Sequence, residues 1–167
     1  ETGRLLAEAS GESDRLVGML SRQLALLDET DEKTLQWQQR LRTLLIQRED
    51  WEGATGVQLA IVAHHPTDAE HQVLADLASG AGDTMLEADT LFAMFQQRAD
   101  DDPILVERLG ALYGQSARYE QLYALYLATI RKTDADGERQ GHLRLQAAFI
   151  ALAHMDEPDL VLELLSD

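Results

Sequence analysis

The sequence predicts an all-α fold, an α-solenoid built from stacked antiparallel helical hairpins. Apolar residues recur three and four positions apart along nearly the whole chain, and no sustained period-two pattern competes. Steps of 34 residues also connect packing residues, namely Ala54, Ala88 and Leu122, and Trp51, Met85 and Tyr119. Such a period is typical of stacked units, each too small to bury its own apolar face.

The first three predicted helices are separated by polar turns. The first begins at Ser13 and ends at the polar run 28–31, and the second ends at the charged turn 48–50. The third starts at Trp51 and ends before Pro66, because proline cannot continue a helix.

The next helices have recognisable caps. Thr67 followed by Asp68 and Glu70 indicates a new N-terminus, and the segment 79–82 ends that helix. Either Asp83 or Thr84 then caps the following helix.

Asp102 and Pro103 open the second half of the chain. The aspartate can cap a helix whose first turn accepts the proline, and that helix ends at the turn 114–116. A helix from Tyr119 then closes at the basic pair 131–132. The last two predicted helices are a long one holding residues 142–152 and a short one starting at Pro158.

Short turns fall at the same phase of successive windows, at 47–50, 80–83 and 114–117. The interpretation is a single solenoid segment, 1–167, with approximate repeat windows at 1–34, 35–68, 69–102, 103–136 and 137–167. Because the chain opens with Glu1 and no initiator Met, we expect it to be excised from a larger protein.

Charge narrows the classes of ligand. Thirty acidic and fourteen basic side chains give a net charge of −16, which argues against nucleic acid as a partner. Eight acidic residues and one basic residue lie between Ala69 and Asp102, so this unit could dock a basic segment or could simply aid solubility. Without cysteine or a membrane-length apolar run, we expect a soluble segment of cytoplasm or periplasm, with no direct membrane insertion.

Two motifs resemble the tetratricopeptide repeat. Leu109-Gly110-Ala111-Leu112-Tyr113 is similar to the Leu-Gly-x-x-Tyr of its first helix, and Trp51-Glu52-Gly53-Ala54 with Pro66 is similar to its second half. The family pattern has Leu-Gly where this chain has Leu41-Arg42 and Ala75-Asp76, so the repeats are degenerate. A half-a-tetratricopeptide array is the alternative helical repeat.

The resemblance implies a right-handed superhelix whose concave groove binds a peptide. Candidate groove residues, chosen by repeat phase, are Gln36, Gln39, Thr43, Glu70, Val73, Leu77, Ile104, Glu107 and Ala111. Further candidates are the acidic run Asp100, Asp101 and Asp102, and Tyr123, a tyrosine outside the packing phase. This set would suit an extended or helical peptide carrying Lys or Arg.

No motif predicts chemistry. His64, His65 and His71 lack the spacing of a metal site, the run 100–102 lacks the rest of a calcium-binding loop, and 80–82 lacks the lysine of a phosphate loop. We therefore expect no cofactor, no metal and no catalytic residue.

The sequence thus predicts a protein-binding scaffold segment that recruits a partner through the concave groove or an acidic surface. By family analogy, its setting would be bacterial envelope assembly or exopolysaccharide secretion. An architectural spacer or self-association module is the alternative, and a carbohydrate-handling enzyme is the least favoured reading.

Overall fold

A computed structural model describes residues 2–27, 32–132 and 137–166 of the 167-residue chain. All regular elements in these ranges are helical, which confirms the all-α prediction. They fall into two compact units, Glu1–Glu87 (unit 1) and Ala88–Asp167 (unit 2). None of the described helices is both long and apolar enough to cross a bilayer.

The helices follow one another in a repeat-like succession. Unit 1 contains α1 (Thr2–Leu24), α2 (Glu32–Gln47), α3 (Trp51–His64), α4 (Asp68–Ala81) and the first turn of α5 (Thr84–Gln97). Unit 2 contains the rest of α5, then α6 (Pro103–Gln115), α7 (Tyr119–Lys132), α8 (Gly137–Ile150), a π-helix (Ala151–Met155) and α9 (Pro158–Ser166).

The core of unit 1 draws on four helices, each of which contacts the next along the chain. A cluster of buried apolar side chains joins α1 to α4, and its members are Leu20, Leu41, Leu45, Ala54 and Leu77. Small Ala54 is fully buried there, as the repeat pattern predicts. Trp51 packs against this cluster and covers Gly80, where an added Cβ would lie 3.1 Å from the indole ring. Gly80 therefore permits a close approach between α3 and α4.

Unit 2 is also held by contacts between helices adjacent in sequence, from α6 to α9. Its buried residues include Leu109, Leu122, Leu125 and Ala147, and Leu122 is buried as predicted. The Arg118 guanidinium lies over the Tyr113 ring, 5.1 Å from its centroid.

The same C-terminal cap recurs at three helix ends. Glu49, Gly82 and Ala117 each adopt positive φ, one or two residues after the ends of α2, α4 and α6. Each donates its N–H to the carbonyl three residues back, and the following residue donates to the carbonyl five residues back. These bonds define the Schellman motif, so the turns at 47–50, 80–83 and 114–117 are confirmed.

Three of the predicted N-caps are also confirmed. The carboxylate of Asp102 accepts from the Ile104 N–H at 3.1 Å, and that of Asp83 accepts from the Leu86 N–H at 3.0 Å. Thr67 Oγ1 accepts from the Glu70 N–H at 3.3 Å.

Three local expectations are wrong. The first helix begins at Thr2, well before Ser13, so Ser13 lies inside the helix and is not its N-cap. Met85 is 65% exposed, so it does not pack as its repeat phase suggested. The long helix around residues 142–152 changes to a π-helix at Ala151, a feature that periodicity does not reveal.

Candidate functional site

An apolar concavity lies between α7 and α8 of unit 2. Tyr119, Leu122 and Tyr126 line one wall, spaced so that one face of α7 presents all three. The opposite wall and one end are formed by Leu145, Gln146, Phe149, Ile150 and His154. This space, which we call the α7–α8 groove, has a volume of about 400 Å³. Its size lies within the range of ligand-binding clefts.

The π-helix closes one end of the groove. His154 stacks on Tyr119 with ring centroids 3.7 Å apart and an interplanar angle of 6°. Phe149 meets the same imidazole edge-on at 6.2 Å. A π turn inserts an extra residue into a helix and so changes where side chains point, which is one reason such turns occur at functional sites.

The exposed face of α8 continues the apolar surface beyond the groove. Leu145, Phe149 and Leu152 are exposed by 60%, 65% and 61%. Their spacing of four and three residues places Leu145 and Phe149 on one side of α8, and Leu152 continues that side at the start of the π-helix. We call these three residues the α8 stripe. The opposite side of α8 is buried through Leu143, Ala147 and neighbouring residues. The helix is therefore apolar on two faces, of which one lacks cover within the described residues.

A polar cleft of about 450 Å³ adjoins the closed end of the groove. Tyr119 and His154 line both spaces, so their stacked rings form the shared wall. The cleft also contains Arg118, Glu120 and Glu157. Tyr126 lies on the same wall as Tyr119, two helical turns further along α7. Burial raises the pKa of its hydroxyl above the usual 10.0, so the phenol is neutral at physiological pH.

A second cluster, of polar side chains, lies in unit 1. The Glu70 carboxylate accepts hydrogen bonds from Gln39 Nε2 at 3.1 Å, Gln58 Nε2 at 2.8 Å and Arg42 Nη1 at 3.0 Å. Gln58 is fully buried, and its amide oxygen accepts a further hydrogen bond from Arg42. The structure thus brings together Gln39 and Glu70, two residues selected from α2 and α4 by repeat phase.

This cluster lowers the pKa of Glu70 below its usual 4.5. Burial alone would raise that pKa, but the hydrogen bonds from Gln58, Arg42 and Gln39 together with the Arg42 charge outweigh it. Because the carboxylate is already bonded to three side chains, the arrangement fits a structural cluster joining three helices better than a ligand site.

The other unit 1 candidates do not extend the cluster. Gln36 and Thr43 are exposed, and the Thr43 hydroxyl donates to the Gln39 carbonyl at 2.8 Å. Val73 is half-buried against the core cluster. Leu77 is a member of that cluster and only 4% exposed, so it offers no surface to a ligand in this structure.

In unit 2 the candidates separate into exposed and structural residues. Ile104, Glu107 and Ala111 are exposed along one side of α6, consistent with an accessible face. Tyr123 is half-buried and takes part in an interaction of its own, so it is not a free anchor.

The acidic run 100–102 is largely structural. Asp100 is exposed, whereas Asp101 pairs with Arg139 at 3.1 Å. Asp102 caps α6 and pairs with Arg98. Asp101 and Asp102 are therefore engaged in contacts within unit 2, and Asp100 is the exposed member of the run.

The chain was also compared with known proteins. Neither a scan against protein-family models nor a search of curated proteins finds a match for this sequence.

Within the described ranges, no three His, Cys, Asp or Glu residues are grouped so as to hold a metal ion.

Sequence reasoning missed the α7–α8 groove although its signal is present. Residues 143, 147 and 150 mark one apolar face of α8, and residues 145 and 149 mark a second that residue 152 continues into the π-helix. A helix that is apolar on two faces needs a second packing partner. The repeat phase instead selected candidate residues on α2, α4 and α6.

Proposed function

We propose that this chain is a protein-binding module of the helical-repeat class, and that a partner segment binds in the α7–α8 groove. The observation that carries the proposal is the uncovered apolar surface formed by this groove and the α8 stripe. Large exposed apolar patches commonly mark sites of protein–protein contact. The resemblance to tetratricopeptide repeats supports the same class, with hairpins stacked in a right-handed sense within each unit.

The shape of the surface favours a helical partner. Two adjacent helices leave a furrow that accepts the ridge of a third helix, and a helix inserts anchors spaced by three and four residues. Covering Leu145, Phe149 and Leu152 would contribute about 1–2 kcal/mol each, which is enough to make them dominant anchors.

Variants of the groove test this function. We expect Leu145→Ser with Phe149→Ser to abolish retention of the partner in an affinity pull-down from extract of the source organism. Ile104→Ser, at a residue 79% exposed on α6, should leave retention unchanged and is the matched control. Each captured protein would then be purified and its binding to the same variants measured.

The pull-down also separates the alternatives. Retention that is equal for both variants would reject the groove as the binding site. A wild-type chain that retains no partner would favour the spacer role, and one that retains only its own copies would favour self-association.

A further inference from the structure

From the charges around the α7–α8 groove, we infer that its occupant is an amphipathic helix with an uncharged apolar centre and Lys or Arg at both ends. This inference rests on the proposed function and adds the chemistry of the partner. It uses three features of unit 2: an uncharged middle, acidic ends, and cations placed on other sides of the helices.

The middle of the surface is uncharged. Apart from the imidazole of His154, the residues lining the groove carry no titratable group near neutrality. The α8 stripe adds Leu152 to the same apolar surface. A charged side chain at the centre of a partner would lose its hydration here without finding an opposite charge, so the centre selects apolar side chains.

Carboxylates lie beyond both ends of the α8 stripe. Glu138 is exposed in the first turn of α8, on the same side of the helix as Leu145 and Phe149 by helical periodicity. Asp156 and Glu157 are exposed directly after the π-helix. The two acidic ends are roughly 25 Å apart along the helix, a span that about 17 residues of a partner helix would cover.

The nearby cations lie on other sides of these helices or are paired within unit 2. Arg118, which lines the polar cleft next to Glu157, pairs with Asp89 at 3.3 Å. Arg144 is about 100° around α8 from Leu145, and Arg131 is about 140° around α7 from Tyr126. Arg139 is held by Asp101 at 3.1 Å, and Lys132 donates to the carbonyl of Arg98 at 2.6 Å. The end charges available to a helix lying on the stripe are therefore mainly negative.

The same charges disfavour a second copy of the chain as the occupant. Pairing two α8 stripes would bring Glu138, Asp156 and Glu157 of both copies close to one another. Each copy also carries a net charge of −16, so long-range repulsion opposes association. A basic partner is instead attracted both by the rim and by the field of the whole chain.

Three synthetic helical peptides of about 20 residues test the inference. The first has a Leu/Phe stripe at its centre and two Lys at each end, the second has Glu in place of Lys, and the third keeps Lys but has Ser in place of the stripe. Binding to the full chain is measured by fluorescence anisotropy at low and high salt. We expect the Lys-ended peptide to bind at least tenfold more tightly than the Glu-ended peptide at low salt, and the Ser peptide not to bind.

Variants locate the effect on the chain. Phe149→Ser should abolish binding of the Lys-ended peptide. Glu138→Gln, Asp156→Asn and Glu157→Gln together should weaken it about five- to tenfold. The matched control, with the same change in net charge at other exposed carboxylates, is Glu52→Gln, Asp100→Asn and Glu107→Gln, and it should change affinity less than about twofold.

The remaining outcomes overturn the inference in distinguishable ways. Equal or tighter binding of the Glu-ended peptide, still lost on Phe149→Ser, would keep the groove as a binding site and reject a basic partner. Binding of no peptide, or binding that Phe149→Ser leaves unchanged, would reject a basic helix as occupant, while the pull-down separately decides whether the groove binds protein. Self-association of the chain that Phe149→Ser removes would identify a second copy as the occupant.

Discussion

At the residue scale, Glu70 shows how a largely buried carboxylate acquires a structural role. The Arg42 guanidinium donates hydrogen bonds to both Glu70 and Gln58. Both charged side chains are 16% exposed, so water screens their pairing only partly. The Arg42–Glu70 pair therefore joins α2 to α4 within unit 1.

The lowered pKa of Glu70 gives a pH-dependent prediction. A carboxyl group whose folded-state pKa is below its unfolded value stabilises the fold above the unfolded pKa, and this stability is lost as pH falls through the folded pKa. Glu70→Gln should therefore lower the free energy of unfolding by about 1–3 kcal/mol at pH 7. The difference from wild type should shrink as pH falls below the usual value of 4.5, where the unfolded chain begins to bind a proton at Glu70, and should be smallest below the lowered folded-state pKa.

Urea unfolding at neutral and acidic pH, followed by circular dichroism, measures both effects. Glu52→Gln, at an exposed carboxylate on α3, is the control and should have little effect at either pH. A loss for Glu70→Gln that is the same size in acid would show that the carboxylate charge does not stabilise the cluster.

The acidic run 100–102 provides a second prediction at this scale. Asp102→Ala should lower the free energy of unfolding by about 1 kcal/mol because the Ile104 and Leu105 N–H groups lose their cap. Asp100→Ala should leave it nearly unchanged, since Asp100 is exposed. The melting temperatures of the two variants, measured by thermal unfolding, test this difference. Equal melting temperatures would contradict the assignment of the cap to Asp102.

At the scale of elements, the recurring Schellman caps explain why the turns were predictable. Gly82 fits its positive φ of 73° without strain, whereas Ala117 adopts φ of 54° with a Cβ that disfavours it. Proline, glycine and capping side chains mark most helix ends in the sequence. The backbone adopts the same C-terminal cap at the three turns described above.

Ala117→Gly should consequently stabilise the fold by about 0.5–1 kcal/mol, because it removes the steric cost of a left-handed alanine. The same substitution at Ala124, an exposed residue inside α7, should destabilise by a similar amount because glycine weakens a helix interior. Chemical unfolding of both variants tests this opposition of sign. Destabilisation by both would mean that residue 117 is not left-handed.

The π-helix and the α8 stripe mark the limit of prediction from sequence. Leu145 and Phe149 read as ordinary helix-packing residues, because periodicity indicates a face but not whether a neighbour covers it. Likewise, the residues selected by repeat phase include both buried and exposed side chains, such as buried Leu77 and exposed Ile104. Placing a binding site required knowing which helices meet, and that information resides in tertiary contacts.

At the scale of the whole molecule, charge and apolar surface have complementary effects. A net charge of −16 produces long-range repulsion between copies of the chain, which lowers the aggregation risk that an exposed apolar surface brings. The same charge attracts basic segments, so the acidic character and the apolar groove favour one class of partner.

The most direct test of the central claim is an amide chemical-shift map, recorded by NMR on the labelled chain during titration with the Lys-ended peptide. Binding in the α7–α8 groove predicts shifts concentrated in residues 119–126 and 138–157, with Phe149 and Tyr126 among the largest and α6 residues around Ile104 unaffected. Shifts concentrated on α2 and α4, around Gln36 and Glu70, would contradict the α7–α8 groove as the binding site.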